Sequence, residues 1–409
     1  MQKNNTMIVL HVLTILLFVY LLATLSYLFI LSVAGRFGRL KKYSASLQKA
    51  RIAVIIPSYK EDNIIINTAT QALLQNYPRA NYSVTVIADQ LQPETIRQLK
   101  EIPVGVIEVK WEKSMKAKSL NVAFQRLAAD HGEGPDKEYD VAFILDADNI
   151  MSPDCLEKVN HAWQQGWEVI QCHRTAKNKN NSVAILDAMS EEMNNTIFRR
   201  GQRALGLSCA LIGSGMAFRY GLIKDIFSSP EIQDNPGEDK VVEMQLISKG
   251  IRVEYLEDAY VYDEKVQRKE VFEKQRTRWL GTQLDNLRPL LTKKMRENAI
   301  ARIYYLKVLE WLLLPRLLLL ALFGLLLLLI GADVFWDLHL LAPSWPYWIG
   351  LMALYGLTLV VAIPGSFYNG QTVKAFLKIP VLMLAMLKAL MGVKKNKSGF
   401  IHTPKEFSN

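Results

Sequence analysis

Residues 141–148 read VAFILDAD, a run of five apolar residues that ends in two aspartates separated by an alanine. An unbroken apolar run of this length is typical of a central strand in a parallel sheet, because helices cover both faces of such a strand. Similar runs come before it at residues 52–57, 83–88 and 104–109. Helical patterns over residues 63–75 and 117–129 separate these runs. The alternation predicts an α/β domain built on a parallel sheet.

Acidic residues follow two of these predicted strands. In parallel sheets, ligands bind beyond the carboxyl ends of the strands, which is where Asp89, Asp146 and Asp148 stand. Asp146 and Asp148 can converge on one hard cation such as Mg²⁺ or Mn²⁺, which bridges to substrate phosphates. The alternative is an Asx-type turn with solvated carboxylates, which is common at strand ends.

Two predicted helices begin with charged residues. Glu238 and Asp239 precede an amphipathic helix over residues 240–249. Acids favour any helix N-terminus, but a carboxylate here can also act as a base that takes a proton from a hydroxyl nucleophile. Lys116 opens the helix after the third strand, where it can face a phosphate or an acid. A solvated basic helix start is the other interpretation of Lys116.

A third set of candidate site residues lies on a helical pattern over residues 271–284. Gln275, Arg278 and Trp279 are spaced three and four residues apart, so they share one helix face. The planar guanidinium suits a pyrophosphate, and the indole suits the flat face of a sugar ring. The alternative is an exposed Arg–Trp pair at a membrane surface.

Gly213, Ser214 and Gly215 form a GxG sequence without the third glycine of a dinucleotide fingerprint. This pattern predicts a tight loop whose backbone approaches a ligand closely. The six histidines lack metal-ligand spacing. Walker A, GxSxG and nucleic-acid-binding motifs are also absent from the sequence.

The composition excludes several classes of protein. Of the 409 residues, 50% are hydrophobic and 22% are charged, and the net charge is +10. The charged fraction is near the ~25% of ordinary soluble proteins, so the apolar excess is concentrated, and it lies at the two ends. Three cysteines exclude a disulfide scaffold. Composition and the lack of a visible period exclude collagen-like, disordered and repeat proteins.

The ends of the chain resemble membrane helices. Residues 4–35 contain no charged side chain. This uncharged stretch is longer than the ~20 residues that a spanning helix needs. A cleaved signal peptide is the alternative. Six basic residues and no acid follow within residues 36–51, which places the middle of the chain in the cytoplasm by the positive-inside rule. Further spans are predicted at about residues 308–331 and 348–367.

The last apolar stretch, residues 373–392, carries Lys374, Lys378 and Lys388 on one helical stripe. Pro380 predicts a kink or an interruption. We expect an amphipathic helix in the plane of the membrane, with a fourth span as the alternative. The predicted division is a membrane helix (1–35), a cytoplasmic domain (36–306), two membrane helices (307–372), and an interfacial helix with a cytoplasmic tail (373–409).

The order of these motifs resembles the membrane-bound family 2 glycosyltransferases, which include the cellulose, hyaluronan and poly-N-acetylglucosamine synthases. The matching motifs, across about residues 50–285, are IIPSYKE, Ala88-Asp89, KAKSLN, DAD, GED and QRTRW. The resemblance implies a cytoplasmic GT-A domain, which is Rossmann-like and binds nucleotide-diphospho-sugars, flanked by transmembrane and interfacial helices. It also implies that residues 400–405 fold back on the catalytic domain.

The resemblance assigns a role to each matching position. For the donor nucleotide it implies Pro57, Tyr59, Glu61, Asp89, Lys116, Asp146, Gln275 and Arg278. For the metal, Mg²⁺ or Mn²⁺, it implies Asp146 and Asp148. For catalysis it implies Asp239 as the base, with Glu238 beside it. For the acceptor it implies Trp279 and the loop of Gly213, Ser214 and Gly215.

The implied function is an inverting, metal-dependent β-glycosyltransferase that moves a sugar from a UDP-sugar to a growing polysaccharide at the membrane. The alternatives are a single-addition transferase that makes a glycolipid, and a non-catalytic scaffold subunit of an export complex. We expect a multi-pass protein of the inner (plasma) membrane. Its expected partners are the membrane, a polysaccharide or lipid acceptor, and a second copy or an export protein, without nucleic acid.

Overall fold

The computed structural model describes residues 2–131, 139–292 and 298–393. The strands are β1 (Ile52–Tyr59), β2 (Tyr82–Asp89), β3 (Gly105–Val109), β4 (Val141–Ile144), β5 (Ile150–Met151), β6 (Val169–Ala176), β7 (Met216–Arg219) and β8 (Glu254–Asp263). The first eight helices are α1 (Gln2–Phe37), α2 (Asp62–Ala72), α3 (Pro93–Lys100), α4 (Lys116–His131), α5 (Cys155–Trp163), α6 (Ser182–Asn194), α7 (Gln202–Ala204) and α8 (Tyr220–Phe227). The remainder are α9 (Pro230–Gln233), α10 (Glu238–Ser248), α11 (Lys269–Thr292), α12 (Asn298–Leu312), α13 (Arg316–Trp336), α14 (Trp345–Ala362), α15 (Gly370–Phe376) and α16 (Ile379–Gly392).

The eight strands form one sheet in the order β3-β2-β1-β4-β7-β6-β8-β5. The four predicted strands are β1 to β4, and they pair in parallel, as expected from their apolar runs. β7 runs antiparallel to both β4 and β6, so the complete sheet is mixed. The parallel half places the carboxyl ends of β1, β2 and β4 at one edge.

Two apolar cores cover the two faces of the sheet. One face packs against α2, α3 and α5, with Val54, Val86 and Phe143 fully buried. The other packs against α4, α8 and α10, with Phe124 and Phe218 at its centre. Apolar side chains alternate between these two cores along β1 and β4, which explains why the runs contain no polar residue.

Among the described residues, three helices are long and apolar enough to cross a membrane, and a fourth crossing requires counting a bent pair as one span. The first candidate, Asn5–Phe37, has 33 residues. This is more than the ~20 residues that a helix needs to cross a hydrocarbon core about 30 Å thick. Its carboxyl half packs on a π-helical turn, Asn195–Gly201. A Cβ on Gly35 would lie 2.0 Å from the Thr196 carbonyl oxygen, so only glycine permits this contact.

The second candidate span begins at Arg316, later than the predicted start near residue 308. Residues 313–315 interrupt the helix, because the ring of Pro315 cannot continue α12 and instead starts α13. Hydropathy does not detect this break, since the residues on both sides are apolar. The third candidate, Trp345–Ala362, lies close to its predicted position.

The last apolar stretch forms α15 and α16, which meet at an angle of 48° just before Pro380. Lys374, Lys378 and Lys388 are exposed, as the predicted stripe requires. An interfacial pair and a bent fourth span both fit this geometry, so the interfacial position stays a prediction. The expected return of residues 400–405 to the catalytic domain lies outside the described residues.

Candidate active site

Lys116 contacts residues from three separate segments: the turn after β4, the loop before β7 and the start of α10. Its Nζ lies 2.5 Å from Asp146 Oδ1 and 2.5 Å from the Gly213 carbonyl oxygen. Glu238 Oε1 is 3.8 Å away. Burial acts to lower the pKa of Lys116, but the nearby carboxylates Asp146, Glu238 and Asp239 together raise it above its ordinary value. The lysine therefore remains a cation at the carboxyl edge of the sheet.

Asp146 and Asp148 lie directly after β4, as predicted. The backbone N–H of Asp146 donates to Ser214 Oγ at 2.9 Å, which fixes the start of this turn. Asp148 is buried and accepts a hydrogen bond from the side chain of Asn149 at 3.1 Å. Both carboxylates are therefore held at the same edge of the sheet as Lys116.

Ser214 differs from its predicted contact with the acceptor. Its side chain is fully buried, and its hydroxyl donates to Asn149 Oδ1 at 2.6 Å. Gly215 is also packed inside, where an added Cβ would lie 2.9 Å from Val261. These two residues position the loop, whereas Gly213 faces the site: an added Cβ there would lie 3.7 Å from Asp239 Oδ2. The sequence did not predict Asn149 or the hydrogen bonds that its side chain forms with Asp148, Ser214 and Asp263.

Glu238 and Asp239 begin α10, with Gly237 as the N-cap. An added Cβ on Gly237 would lie 2.2 Å from Thr282, so this loop is pressed against α11. Burial raises the pKa of Glu238 to about 7, with a further contribution from Asp239 and opposition from Lys116. Asp239 is half-buried and faces the Gly213 loop. A pair of carboxylates thus stands opposite Lys116.

α11 carries the predicted trio of Gln275, Arg278 and Trp279. Burial lowers the pKa of Arg278, and Glu238, Asp146 and Asp239 oppose that shift, so its guanidinium faces the acidic group. Gln275 has a buried Oε1 without a hydrogen-bond partner. Trp279 is 44% exposed, and the guanidinium of Arg276 stacks on its ring at 4.2 Å. The trio lies on one side of α11 as expected, with Trp279 at its open end.

The ends of β1 and β2 form the other side of the site. Ser58 and Asp89 are almost completely buried, yet Ser58 Oγ and Asp89 Oδ1 lack a hydrogen-bond partner. Burial raises the pKa of Asp89. Lys60 and Gln90, which follow β1 and β2, both have positive φ, a strained conformation that is common near ligand sites. Two buried acceptors without donors indicate a place for a ligand.

The three remaining predicted donor contacts lie at the end of β1 and in the turn that follows it. Pro57 and Tyr59 are the last outward residues of β1, and both are half-buried. Glu61 is the N-cap of α2, where its carbonyl accepts from Ile64 and Ile65. The loop therefore brings them beside Asp89, which pairs with Tyr59 in the sheet register.

A cluster of buried ion pairs lies next to the turn after β4. The sequence did not predict this cluster. Arg174 binds Glu191 at 2.8 Å, and Lys265 binds Asp263 at 2.7 Å. Asn149 joins this cluster to the turn after β4 by donating to Asp263 at 3.1 Å. Asn149 and Asp263 are 114 positions apart in the chain, and sequence spacing gives no sign of such contacts.

The residues at the end of β4 fit a divalent cation. Asp146 and Asp148 supply carboxylate oxygens, the ligands that Mg²⁺ and Mn²⁺ prefer. Within the described residues, His, Cys, Asp and Glu form no group of three or more that could hold a metal. A two-carboxylate site is therefore the arrangement to consider, and Mg²⁺ typically completes such a site with water and substrate phosphates.

Comparison with known proteins gives one family and a shared fold. Residues 50–282 match the family described as glycosyltransferase like family 2. No curated protein sequence matches the chain. The mannosyltransferase PcManGT from Pyrobaculum calidifontis, solved with GDP-Man and Mn²⁺, has a TM-score of 0.60 at 15% identity, over 95% of this chain and 100% of that one. TarS 1-349 from S. aureus, solved with UDP-GlcNAc, has a TM-score of 0.41 at 15% identity, over 84% and 92%.

Proposed function

This chain belongs to glycosyltransferase family 2 and has the GT-A fold, and we propose that it transfers a sugar from a UDP-sugar to a growing polysaccharide at the membrane, with inversion. The observation that carries the proposal is the convergence of Lys116, Asp146, Asp239 and Arg278 on one edge of the sheet. This edge therefore carries cations that can bind a diphosphate and a carboxylate that can take the proton of a hydroxyl acceptor.

The nucleotide is placed by the ends of β1 and β2. The free Oδ1 of Asp89 is an acceptor suited to the ring N–H of uracil, and Ser58 adds a second buried polar atom. Pro57, Tyr59 and Glu61 border the same loop. An acceptor left without a donor in a buried place costs about 1–3 kcal/mol, and binding a base that donates would remove this cost.

The diphosphate is placed by Asp146, Asp148, Lys116 and Arg278. Asp146 and Asp148 would hold Mg²⁺ or Mn²⁺, which as a Lewis acid would stabilise the charge on the departing diphosphate. Lys116 and Arg278 contribute fixed positive charge at the same edge, where it can stabilise the charge that develops on the diphosphate. Gln275, on the same helix face as Arg278, orients a further polar atom toward the donor.

The acceptor is placed between Asp239 and Trp279. Asp239 takes the proton of the attacking hydroxyl, and Glu238 beside it sets the local electrostatics. Trp279 offers its exposed ring face to the acceptor sugar, and the backbone at Gly213 borders the same space. Attack in line with the departing UDP inverts the anomeric carbon, so an α-linked donor gives a β-glycoside.

Membrane association follows from three candidate spans, and we propose a multi-pass protein of the inner membrane with a cytoplasmic catalytic domain. Three spans are few for a secretion channel, so a second copy or an export partner completes the path. A glycolipid product from single addition is the second candidate. A non-catalytic scaffold is disfavoured because the acids and cations of the site are all present.

The direct test of the base is Asp239→Asn in purified protein. Loss of the carboxylate should lower the rate of UDP release with acceptor by about 10²-fold or more, while UDP binding stays near that of the wild type. The control is Asp225→Asn, which changes an exposed acid on α8. Retained turnover in Asp239→Asn would remove this residue as the base.

A further inference from the structure

Arg316 is a half-buried cation whose hydrogen bonds all go to neutral groups. Its Nη2 donates to the Ser190 carbonyl oxygen, Ser190 Oγ and Asn194 Oδ1, each at 2.8 Å. Within the parts of the chain that the structure describes, it forms no ion pair with a carboxylate. A guanidinium has five N–H donors, so Nε and Nη1 still have donors available.

Two other largely buried cations have a carboxylate partner. Arg276 pairs with Asp187 at 2.6 Å, and Lys307 pairs with Glu243 at 2.9 Å. Arg316 instead lies within electrostatic range of two further cations, Arg276 and Arg199. Partly desolvated positive charge without a counter-ion is costly, and an anionic ligand would relieve that cost.

The position of Arg316 indicates where such a ligand comes from. It is the first residue of α13, a candidate membrane span. Leu318, two residues on, packs in an apolar cluster with Leu280 of α11 and Met386 of α16. The guanidinium therefore lies where a candidate membrane span meets the catalytic domain, and the first residue of a span is where lipid headgroups are expected.

Arg276 links this position to the acceptor side of the site. It interacts electrostatically with Arg316 and stacks on the ring of Trp279 at 4.2 Å. Because Arg276 is paired with Asp187, Arg316 is the arginine of the two whose charge lacks a carboxylate partner among the described residues. Guanidinium donors match phosphate oxygens, so a phosphate fits Arg316 better than a neutral headgroup does.

We propose that Arg316 binds the phosphate of a membrane lipid that presents the acceptor to Trp279. The inference rests on the proposed glycosyltransferase function and deepens it by naming the acceptor's carrier as a phosphorylated lipid. A neutral polysaccharide alone would leave the Arg316 charge uncompensated. Both a lipid-linked polymer and a glycolipid product are compatible with this site.

The test is calorimetric titration of the purified full-length protein in neutral detergent with dodecyl phosphate and, separately, with inorganic phosphate. The wild type should bind dodecyl phosphate and bind inorganic phosphate at least tenfold more weakly, because the alkyl chain adds buried apolar surface. Equal binding of the two would indicate a soluble anion and overturn the lipid assignment. No binding of dodecyl phosphate would overturn the site itself.

Variants locate the binding at this residue. Arg316→Gln should weaken dodecyl phosphate binding about tenfold or more, since it removes a charged hydrogen-bond donor, while Arg316→Lys should retain most of it. Arg302→Gln, an exposed arginine on α12, is the matched control. Wild-type affinity in Arg316→Gln would contradict the proposal.

UDP binding and UDP release, measured on the same samples, separate this inference from the proposed function. Lipid binding without any donor turnover would count against the transferase proposal only. Turnover on a neutral acceptor, unchanged in Arg316→Gln and without dodecyl phosphate binding, would count against the lipid site only.

Discussion

At the scale of single residues, the site depends on one lysine that neutralises several acids. Lys116 contacts Asp146, the Gly213 carbonyl and Glu238, which come from three distant segments. Buried carboxylates without a counter-charge are costly, so the lysine makes this concentration of acid compatible with the fold. The rule that ligands bind beyond parallel strands was sufficient to select Asp89, Asp146 and Asp148.

The raised pKa of Glu238 predicts a change of stability with pH. Its pKa is raised from 4.5 to about 7 in the folded protein, mainly by burial. The protonated carboxyl therefore favours the fold below about pH 4.5, and this contribution is lost as the pH rises through about 7. Glu238→Gln, which cannot ionise, should gain thermal stability relative to the wild type at about pH 8 and gain little near pH 5.

Thermal unfolding in detergent with a chelator measures this difference. Glu231→Gln, an exposed acid on α9, is the control and should show a constant offset across the range. A Glu238→Gln offset that is equally independent of pH would mean that the Glu238 pKa is close to its ordinary value.

Sequence reasoning failed at the residue scale where a role depends on distant partners. Ser214 lies in a GxG pattern that suggested contact with the acceptor, but its hydroxyl is buried against Asn149, 65 positions earlier in the chain. Arg174, Glu191 and Lys265 likewise meet only because β6, α6 and the segment after β8 pack together. Spacing along the chain contains no information on such contacts.

At the scale of elements, a buried ionic network connects α10 to α12 and to α1, a candidate membrane span. Glu243 of α10 pairs with Lys307 of α12 at 2.9 Å, and Lys307 pairs with Glu310 at 3.2 Å. Tyr27 of α1 donates to Glu310 at 2.8 Å. α10 begins with Glu238 and Asp239, so the network connects the helix that carries these two acids to α1.

Removing the central cation of this network should destabilise the protein strongly. Lys307→Met would leave Glu243 and Glu310 buried without their shared partner, at a cost of about 3–5 kcal/mol. Lys307 is only 3% exposed, so water cannot replace it. Chemical denaturation in detergent should show this loss, whereas Lys249→Met at the exposed end of α10 should change the unfolding free energy by less than about 0.5 kcal/mol. Equal stability of both variants would contradict this role.

Elements with continuous apolar runs were predicted, and those without them were missed. β1 and β4 are covered on both faces, and residues 52–57 and 141–144 contain no polar side chain. β6 and β8 alternate core residues with charged and aromatic ones, such as Arg174 and Tyr260, because one side faces the ion cluster or solvent. The start of α13 was misplaced because apolar residues surround the break at Pro315.

At the scale of the whole molecule, the catalytic domain and the apolar helices are packed as one unit. α1 buries Leu21, Leu25 and Leu31 against the π-helical turn and its surroundings. α11 carries the side chains that we propose for the donor and the acceptor, and it also packs on α13 and α16 through Leu280. In the proposed function, this packing brings the acceptor side of the site close to the candidate membrane spans.

The measurement that tests the central claim most directly is a donor screen with purified protein in lipid vesicles. Each common UDP-sugar and GDP-mannose would be supplied with Mg²⁺ or Mn²⁺, and UDP or GDP release and product size would be recorded. We predict release from one UDP-sugar, a β-linked product, and loss of activity when a chelator removes the metal. Full activity in the chelator, or release from GDP-mannose alone, would contradict the proposed metal-dependent UDP-sugar chemistry.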